Sequence, residues 1–389
     1  MTDRLVAQVA FLKRADNLKL VERANVLLDQ SRPENSAEHS WHLALWAMVM
    51  APLAGPDISV DRVIRMLLLH DLVEIVTGDH PIHLTTDWDT VAKAEQAAAQ
   101  ELFGLLPDEQ AQEFLSLWHE FEADQTPDAR FAKILDRCQP LFQVLCATDP
   151  RHDHVEIARS NLAGGRAAYL AHAFPLAHQH ATNLLTNSDH QEDAFTKRLA
   201  FLTEADQLKS VLRASRLMAS DRFENSAEHS WHVMLYAWVL SEYAHSDVQV
   251  DRILQMLLLH DVVEIDAGDH PIHGHVDHAE QEANEQAAAK RLFGLLPDCQ
   301  HRSFTELWRE FEAAETPEAR FAKAVDRFQT PIANLETGGG SWVEYKVKFD
   351  QIVTRVRPAI AAGAPQLWDW LQPQLVVHFE HVETPDPQT

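Results

Sequence analysis

The chain is written twice. The string ENSAEHSWH at Glu34–His42 returns at Glu224–His232, MLLLHD at Met66–Asp71 returns at Met256–Asp261, and GDHPIH at Gly78–His83 returns at Gly268–His273. LFGLLPD recurs at Leu102–Asp108 and Leu292–Asp298, and ARFAK at Ala129–Lys133 and Ala319–Lys323. Every offset is 190 residues, so the copies run without net gap from Glu34 to about Arg137. A period this long marks a duplicated domain, because solenoid repeats run about 20 to 50 residues. The polar run TNSDHQED, Thr186–Asp193, separates Leu185 from the apolar pattern starting at Phe195. It sets the expected units at 1–188 and 189–389.

Within a unit the apolar spacing is helical. Phe11, Leu12, Leu18, Leu20, Val21, Val26 and Leu27 recur without strand-like alternation. Ser36 reads as the N-cap of a helix carrying Trp41, Leu45, Trp46 and Val49. Asp61 reads as the cap of a helix over 63–76 that Gly78 stops. Further helices are expected over Glu95–Phe103, from Pro107-Asp108 through Phe121, and from Thr126-Pro127 through Asp136. The expectation is all-α, two tandem bundles of five or six helices each. Trp41, Trp46, Trp118 and Phe121 then read as core and not as a platform for stacked bases.

Charge narrows the partners. The net charge of −26 argues against a protein built to hold duplex nucleic acid or an anionic membrane, since both need a basic face. It leaves room for a small anion held by a metal or a few local cations. No stretch is long and apolar enough for a membrane span or a signal peptide. Cys138, Cys146 and Cys299 are sparse and form no CxxC, so a cytoplasmic location is expected.

The chemistry starts at His70-Asp71, inside the almost wholly apolar MLLLHDLVEI. A carboxylate buried there is expensive without a partner. Hydrogen bonds within the core could supply one; a divalent ion could equally offset the charge. Imidazole with carboxylate suits Mn, Fe, Co, Ni or Zn better than Ca. His39 and Asp136 complete an H…HD…D pattern with spacings of 31 and 65 residues, and His229, His260, Asp261 and Asp326 repeat it.

This pattern resembles the HD-domain metal-dependent phosphohydrolases. Glu34-Asn-Ser-Ala-Glu-His-Ser40, His70-Asp-Leu-Val-Glu74 and Gly78-Asp79 are similar to their 5′-deoxynucleotidase branch, over about Phe11–Leu145 and again Phe201–Pro373. The resemblance implies two tandem HD-domain bundles with one divalent metal per unit (Mn, Co, Fe, Ni, Zn or Mg). His39, His70, Asp71 and Asp136 would hold the first ion, and His229, His260, Asp261 and Asp326 the second. It implies catalytic roles for Glu74 and Asp79 and their copies Glu264 and Asp269. Glu74 would activate water and Asp79 would serve the leaving 5′-oxygen. Arg23 and Arg213 sit near the family's phosphate-contacting arginine. The implied substrate is a small-molecule nucleotide, a (deoxy)nucleoside 5′-monophosphate. Other branches act on cyclic nucleotides, triphosphates or guanosine tetraphosphate, and a metal-bearing regulatory module is a further alternative. His80, Pro81 and His83, with His270, Pro271 and His273, could in principle hold a second metal, but they follow the helix stop. Single-unit relatives tend to be homodimers, so an intramolecular pseudo-dimer, with or without further homo-oligomerisation, is expected. The glycine loop Gly338–Gly340 with Trp342 occurs only in the second tail, which would give that unit most of the turnover.

Overall fold

Local sequence sets most helix ends in the structure, a computed structural model that describes residues 2–80, 87–188, 193–274 and 277–383. After α1 (Thr2–Ala15) the chain makes a hairpin of β1 (Glu22–Val26) and β2 (Pro33–Asn35), then α2 (Ser36–Met50), α3 (Val60–Leu69) and one-turn α4 (Glu74–Thr77). The longer α5 (Trp88–Phe103), α6 (Asp108–Ala123) and α7 (Pro127–Leu145) follow, with α8 (His152–Gly164), α9 (Leu170–Ala173) and α10 (Pro175–Thr186) as the tail. The second copy runs α11 (Ala194–Ala205), β3 (Leu212–Arg216), β4 (Phe223–Asn225), α12 (Ser226–Val239), α13 (Val250–Leu259) and α14 (Glu264–Ala267). It continues with α15 (His278–Phe293), α16 (Asp298–Ala313) and α17 (Pro317–Glu336), and ends in α18 (Ser341–Glu344), α19 (Phe349–Arg355), α20 (Arg357–Gly363) and α21 (Pro365–Glu383). The described residues are all-α apart from the two hairpins, and the tails take each unit past the five or six helices expected.

Three local expectations change. Residues 22–26 are strand, because they pair antiparallel with 33–35, Glu22 opposite Asn35 and Val26 opposite Pro33. Apolar spacing within 22–26 could not show a partner that lies across a loop. The N-cap of α2 is Asn35, not Ser36: Asn35 Oδ1 accepts from the N–H groups of Ala37 and Glu38, and Glu38 reaches back to the Asn35 N–H. The helix expected over 63–76 is broken. Ser59 caps α3, which ends at Leu69, and residues 70–73 tighten into i→i+3 bonds such as Glu74 N–H to Asp71 O, 2.9 Å. That tight turn gathers His70, Asp71 and Glu74. Gly78, at φ 75°, then ends α4 in a conformation that suits glycine.

One apolar core runs through both units, with Trp41, Trp46, Trp118 and Phe121 all inside it. α2 packs on α12, α11 packs on α2, and α1 packs on α12. The first helix of each copy therefore serves the other copy's central helix. Polar contacts across the seam come in pairs at the 190-residue offset. Trp41 Nε1 donates to Leu258 O and Trp231 Nε1 to Leu68 O, both at 3.2 Å. Asn35 Nδ2 donates to Glu228 at 2.9 Å, and Asn225 Nδ2 to Glu38 at 2.8 Å.

Asn35 thus caps its own helix and ties the seam. Asn35→Ala should lower the unfolding free energy by about 1 to 2 kcal/mol from the cap alone. Urea unfolding followed by circular dichroism checks it, and an unchanged midpoint would refute the capping role.

Candidate metal centres

α2 presents His39 from its first turn, the turn after α3 presents His70 and Asp71, and α7 presents Asp136. The structure brings these four side chains together. His39 Nε2 is 3.4 Å from Asp136 Oδ1, His70 Nε2 is 3.1 Å from Asp71 Oδ1, and the two rings lie 5.7 Å apart. In the second unit the matching distances are 3.1 Å for His229–Asp326, 3.1 Å for His260–Asp261 and 5.8 Å between rings. Ligand atoms of His39, His70 and Asp136, and likewise of His229, His260 and Asp261, all fall within 4.8 Å of one another.

The hydrogen bonds leave these atoms open to a cation. His70 Nδ1 lies 2.8 Å from the Leu67 carbonyl, which can only accept, so the proton sits on Nδ1. In the neutral ring Nε2 is then a lone pair facing the Asp71 carboxylate, and this buried nitrogen has no hydrogen-bond partner. His260 repeats this with Leu257 O at 2.7 Å. Two acceptors facing each other at 3.1 Å fit a shared metal ion. Behind His39, Glu34 Oε2 stands 3.2 Å from its Nδ1, at ion-pair distance although neither atom makes a hydrogen bond. Burial and Arg23 oppose protonation of His39, yet Glu34 and Asp136 leave its pKa raised, so the cluster draws positive charge. Burial also opposes the Asp136 carboxylate, but the His39 hydrogen bond holds its pKa below the ordinary range.

The other expected site residues stand beside the clusters. Arg23, on β1, donates to Asp71 Oδ2 at 2.8 Å, and Arg213 donates to Asp261 Oδ2 at 2.9 Å. Glu74 accepts from Ser36 Oγ at 2.6 Å; burial and Asp71 push its carboxyl well above the usual range. Glu264 is matched by Ser226 at 2.6 Å, and burial and Asp261 raise it likewise. Burial raises Asp79 against the opposing Arg23 charge. Asp269 lies 3.5 Å from Arg213. The raised carboxyls of Glu74, Glu264 and Asp79 are suited to hold or take a proton. His80 and His270 turn back onto the Gly78 and Gly268 carbonyls at 3.0 Å, and they belong to neither ligand cluster. Pro81 and His83 lie outside the described residues.

Beside the first cluster opens a cavity of about 260 Å³, walled by α7 and α8. Arg23, Asp79, Lys133, Asp136, Arg137 and Arg166 face it, with an apolar wall of Leu141, Val144 and Ile157. Sequence reasoning missed this wall because the α8 tail has no repeat to flag it. It also missed Glu34 and Glu224, although both stand inside the repeated ENSAEHSWH, and Lys19 and Lys209, also spaced by 190 residues. These two lysines are fully buried. Lys209 Nζ reaches Glu34 Oε1 at 2.7 Å, Asp206, and His42 Nδ1 at 3.0 Å. Lys19 Nζ reaches Glu224 Oε1 at 2.7 Å, Asp16 at 2.5 Å and His232 Nδ1 at 2.9 Å.

The family model for the HD domain matches residues 15–178 and 205–368. Among relatives, human 5′-deoxynucleotidase HDDC2 is 30% identical over 36% of this chain and 69% of its own length. The Xenopus laevis protein of that name is 34% identical over 35% and 66%. The 5′-deoxynucleotidase hdd1 of Schizosaccharomyces pombe is 28% identical over 35% and 70%. The matches thus span about two thirds of these relatives. A crystal structure described as a predicted metal-dependent phosphohydrolase from Magnetospirillum magnetotacticum is 41% identical, covers 50% of this chain and 99% of its own, and has a TM-score of 0.46.

The buried histidines give a pH signature. Burial and Lys19 hold His232 down to about 3, and burial and Lys209 hold His42 well below its ordinary value. Unfolded histidine takes up a proton near 6.5 while these folded rings do not. Their contribution to stability is therefore full above that pH and falls as pH drops toward 3. Urea midpoints at pH 7 and pH 5 should differ, and in a His42→Gln, His232→Gln variant they should differ less. An equal fall in that variant would assign the effect elsewhere.

Proposed function

The chain belongs to the HD domain family through both of its halves, and we propose that it is a metal-dependent phosphohydrolase that converts (deoxy)nucleoside 5′-monophosphates to nucleoside and phosphate. The observation that carries the metal is the buried, unpartnered His70 Nε2 facing the Asp71 carboxylate, repeated at His260 and Asp261. We assign one divalent ion to each unit, 1–188 and 189–389, held by His39, His70, Asp71 and Asp136 and by His229, His260, Asp261 and Asp326. A family likeness to named 5′-deoxynucleotidases supports the nucleotide substrate. The reciprocal hydrogen bonds across the seam support reading the two units as an intramolecular pseudo-dimer. A cytoplasmic location fits the three free cysteines, and among the described residues no helix is long and apolar enough to cross a membrane.

A bound divalent ion supplies Lewis acidity toward a phosphoryl oxygen and makes hydroxide accessible near neutral pH. The chain's own residues do the rest. Glu74, hydrogen-bonded to Ser36, takes the proton of the attacking water. Asp79, raised by burial, returns a proton to the departing 5′-oxygen. Arg23, half-buried beside both acids, stabilises charge developing on the phosphoryl oxygens. Glu264, Asp269 and Arg213 have the same roles in the second unit. The cavity of about 260 Å³, with its basic rim and apolar wall, gives sugar and base a place next to the first cluster.

Solvent reaches the two clusters unequally. The glycine loop that favoured the second unit forms a helix junction, with Asn334 bonded to Ser341 and Trp342 packed on Phe379. The ligand Asp326 has 11% of its side chain exposed, against 27% for Asp136. We therefore expect Asp71→Ala to cost at least as much turnover as Asp261→Ala.

Phosphate release from a panel of nucleoside 5′-monophosphates tests the reading. Exhaustive chelation should abolish it and Mn²⁺ or Co²⁺ should restore it. Glu74→Gln with Glu264→Gln should keep bound metal while cutting turnover by roughly 100-fold or more. Full activity in metal-free protein would refute the metal, and parallel loss of metal and rate would make the glutamates ligands.

A further inference from the structure

Each metal cluster is braced by a lysine from the other unit. Glu34 is fully buried and divides its two oxygens between two tasks. Its Oε2 faces His39 Nδ1 at 3.2 Å, while its Oε1 accepts from Lys209 Nζ at 2.7 Å and from Gln139 at 3.2 Å. Lys209 comes from the second unit, just after α11. The reverse path runs from Lys19 Nζ to Glu224 Oε1 at 2.7 Å, and from Glu224 Oε2 to His229 Nδ1 at 3.3 Å. Both lysines are also fixed through their backbones, because Arg32 donates to Lys209 O at 2.7 Å and Arg222 to Lys19 O at 2.9 Å.

The groups around each ammonium, Glu34, His42 and Asp206 or Glu224, His232 and Asp16, have the composition and spacing of further metal sites. The ammonium already sits among them, so each is a filled cation site and not a vacant one. The ammonium fixes one oxygen of Glu34 or Glu224, and the other oxygen of that carboxylate is thereby aimed at Nδ1 of the histidine.

We propose that Lys209 and Lys19 are positioning residues that act in trans: Lys209 sets the metal affinity of the first unit through Glu34 and His39, and Lys19 sets that of the second through Glu224 and His229. This rests on the assignment of His39 and His229 as metal ligands.

Mn²⁺ titration calorimetry on metal-stripped full-length chain tests it, using backgrounds that keep one site. His260→Ala with Asp261→Ala leaves the first site, and His70→Ala with Asp71→Ala leaves the second. Lys209→Met should weaken Mn²⁺ binding at the first site by about 10- to 100-fold, as loss of a group behind a ligand does, and leave the second unchanged. Lys19→Met should do the reverse. A general loss of packing would weaken both sites alike, and that result, or a loss confined to the lysine's own unit, would overturn the inference. If Lys209→Met does not fold, Lys209→Met with Asp206→Asn removes cation and anion together and is read in the same way. Parent chain that binds no Mn²⁺ would overturn the metal assignment itself, whereas normal binding with an uncrossed loss overturns only the role of the lysines.

Discussion

A carboxylate placed inside an apolar helical core must find a cation, and this requirement organises both halves of the molecule. Leaving one unpaired costs several kcal/mol, and removing the partner of a buried ion pair costs about 3 to 5. The chain meets the requirement in two ways, a few ångströms apart. Glu34 and Glu224 receive lysine ammonium groups delivered across the seam, and Asp16 and Asp206 share those ammonium groups from three residues away in the lysine's own unit. Asp71 and Asp261 receive an arginine from the hairpin, and still face an imidazole lone pair that no hydrogen bond satisfies. The first set closes the structure; the second leaves it chemically incomplete, and the proposed function lies in that difference.

The hairpins and the broken helix serve the same end. β1 exists to carry Arg23 inward, and the tight turn at 70–73 lets one short segment aim His70, Asp71 and Glu74 at a common point. Glu74 lies one turn after His70, so the two share a face, with Asp71 about 100° round from His70 in a regular helix. The apolar helices bury the cluster, and Phe121 and Phe311 set their ring edges against His70 and His260 at 5.2 and 5.1 Å. Burial, in turn, raises the carboxyls of Glu74 and Glu264.

Much of this was legible in the sequence for a physical reason. Helix periodicity and repeated polar residues in apolar strings are local signals, so the all-α class, the duplication and the H…HD…D residues could be read from residue types and spacing. What could not be read depends on contacts between distant segments. Glu22–Val26 becomes strand only because Pro33–Asn35 lies alongside it, and Asn35 displaces Ser36 as cap through a hydrogen bond that residue type leaves open to either. Lys19 looks like a solvated lysine in NLKL until His232 and Glu224 arrive from more than 200 residues away. The cavity beside Asp136 depends on α8, where the two copies no longer agree.

The reciprocal seam also bears on how a duplicated gene can age. Fusion of two copies ordinarily lets one decay while the other keeps the work, since each is expendable to its neighbour. Here the first helix of each copy packs on the central helix of the other, and each copy's lysine closes an ion cluster in its sister. Deleting or unravelling one copy would strip the survivor of a helix and expose an unbalanced carboxylate in its core. A redundant half is thus retained for its scaffold even if its own chemistry lapses, and selection acts on the pair as one heritable unit.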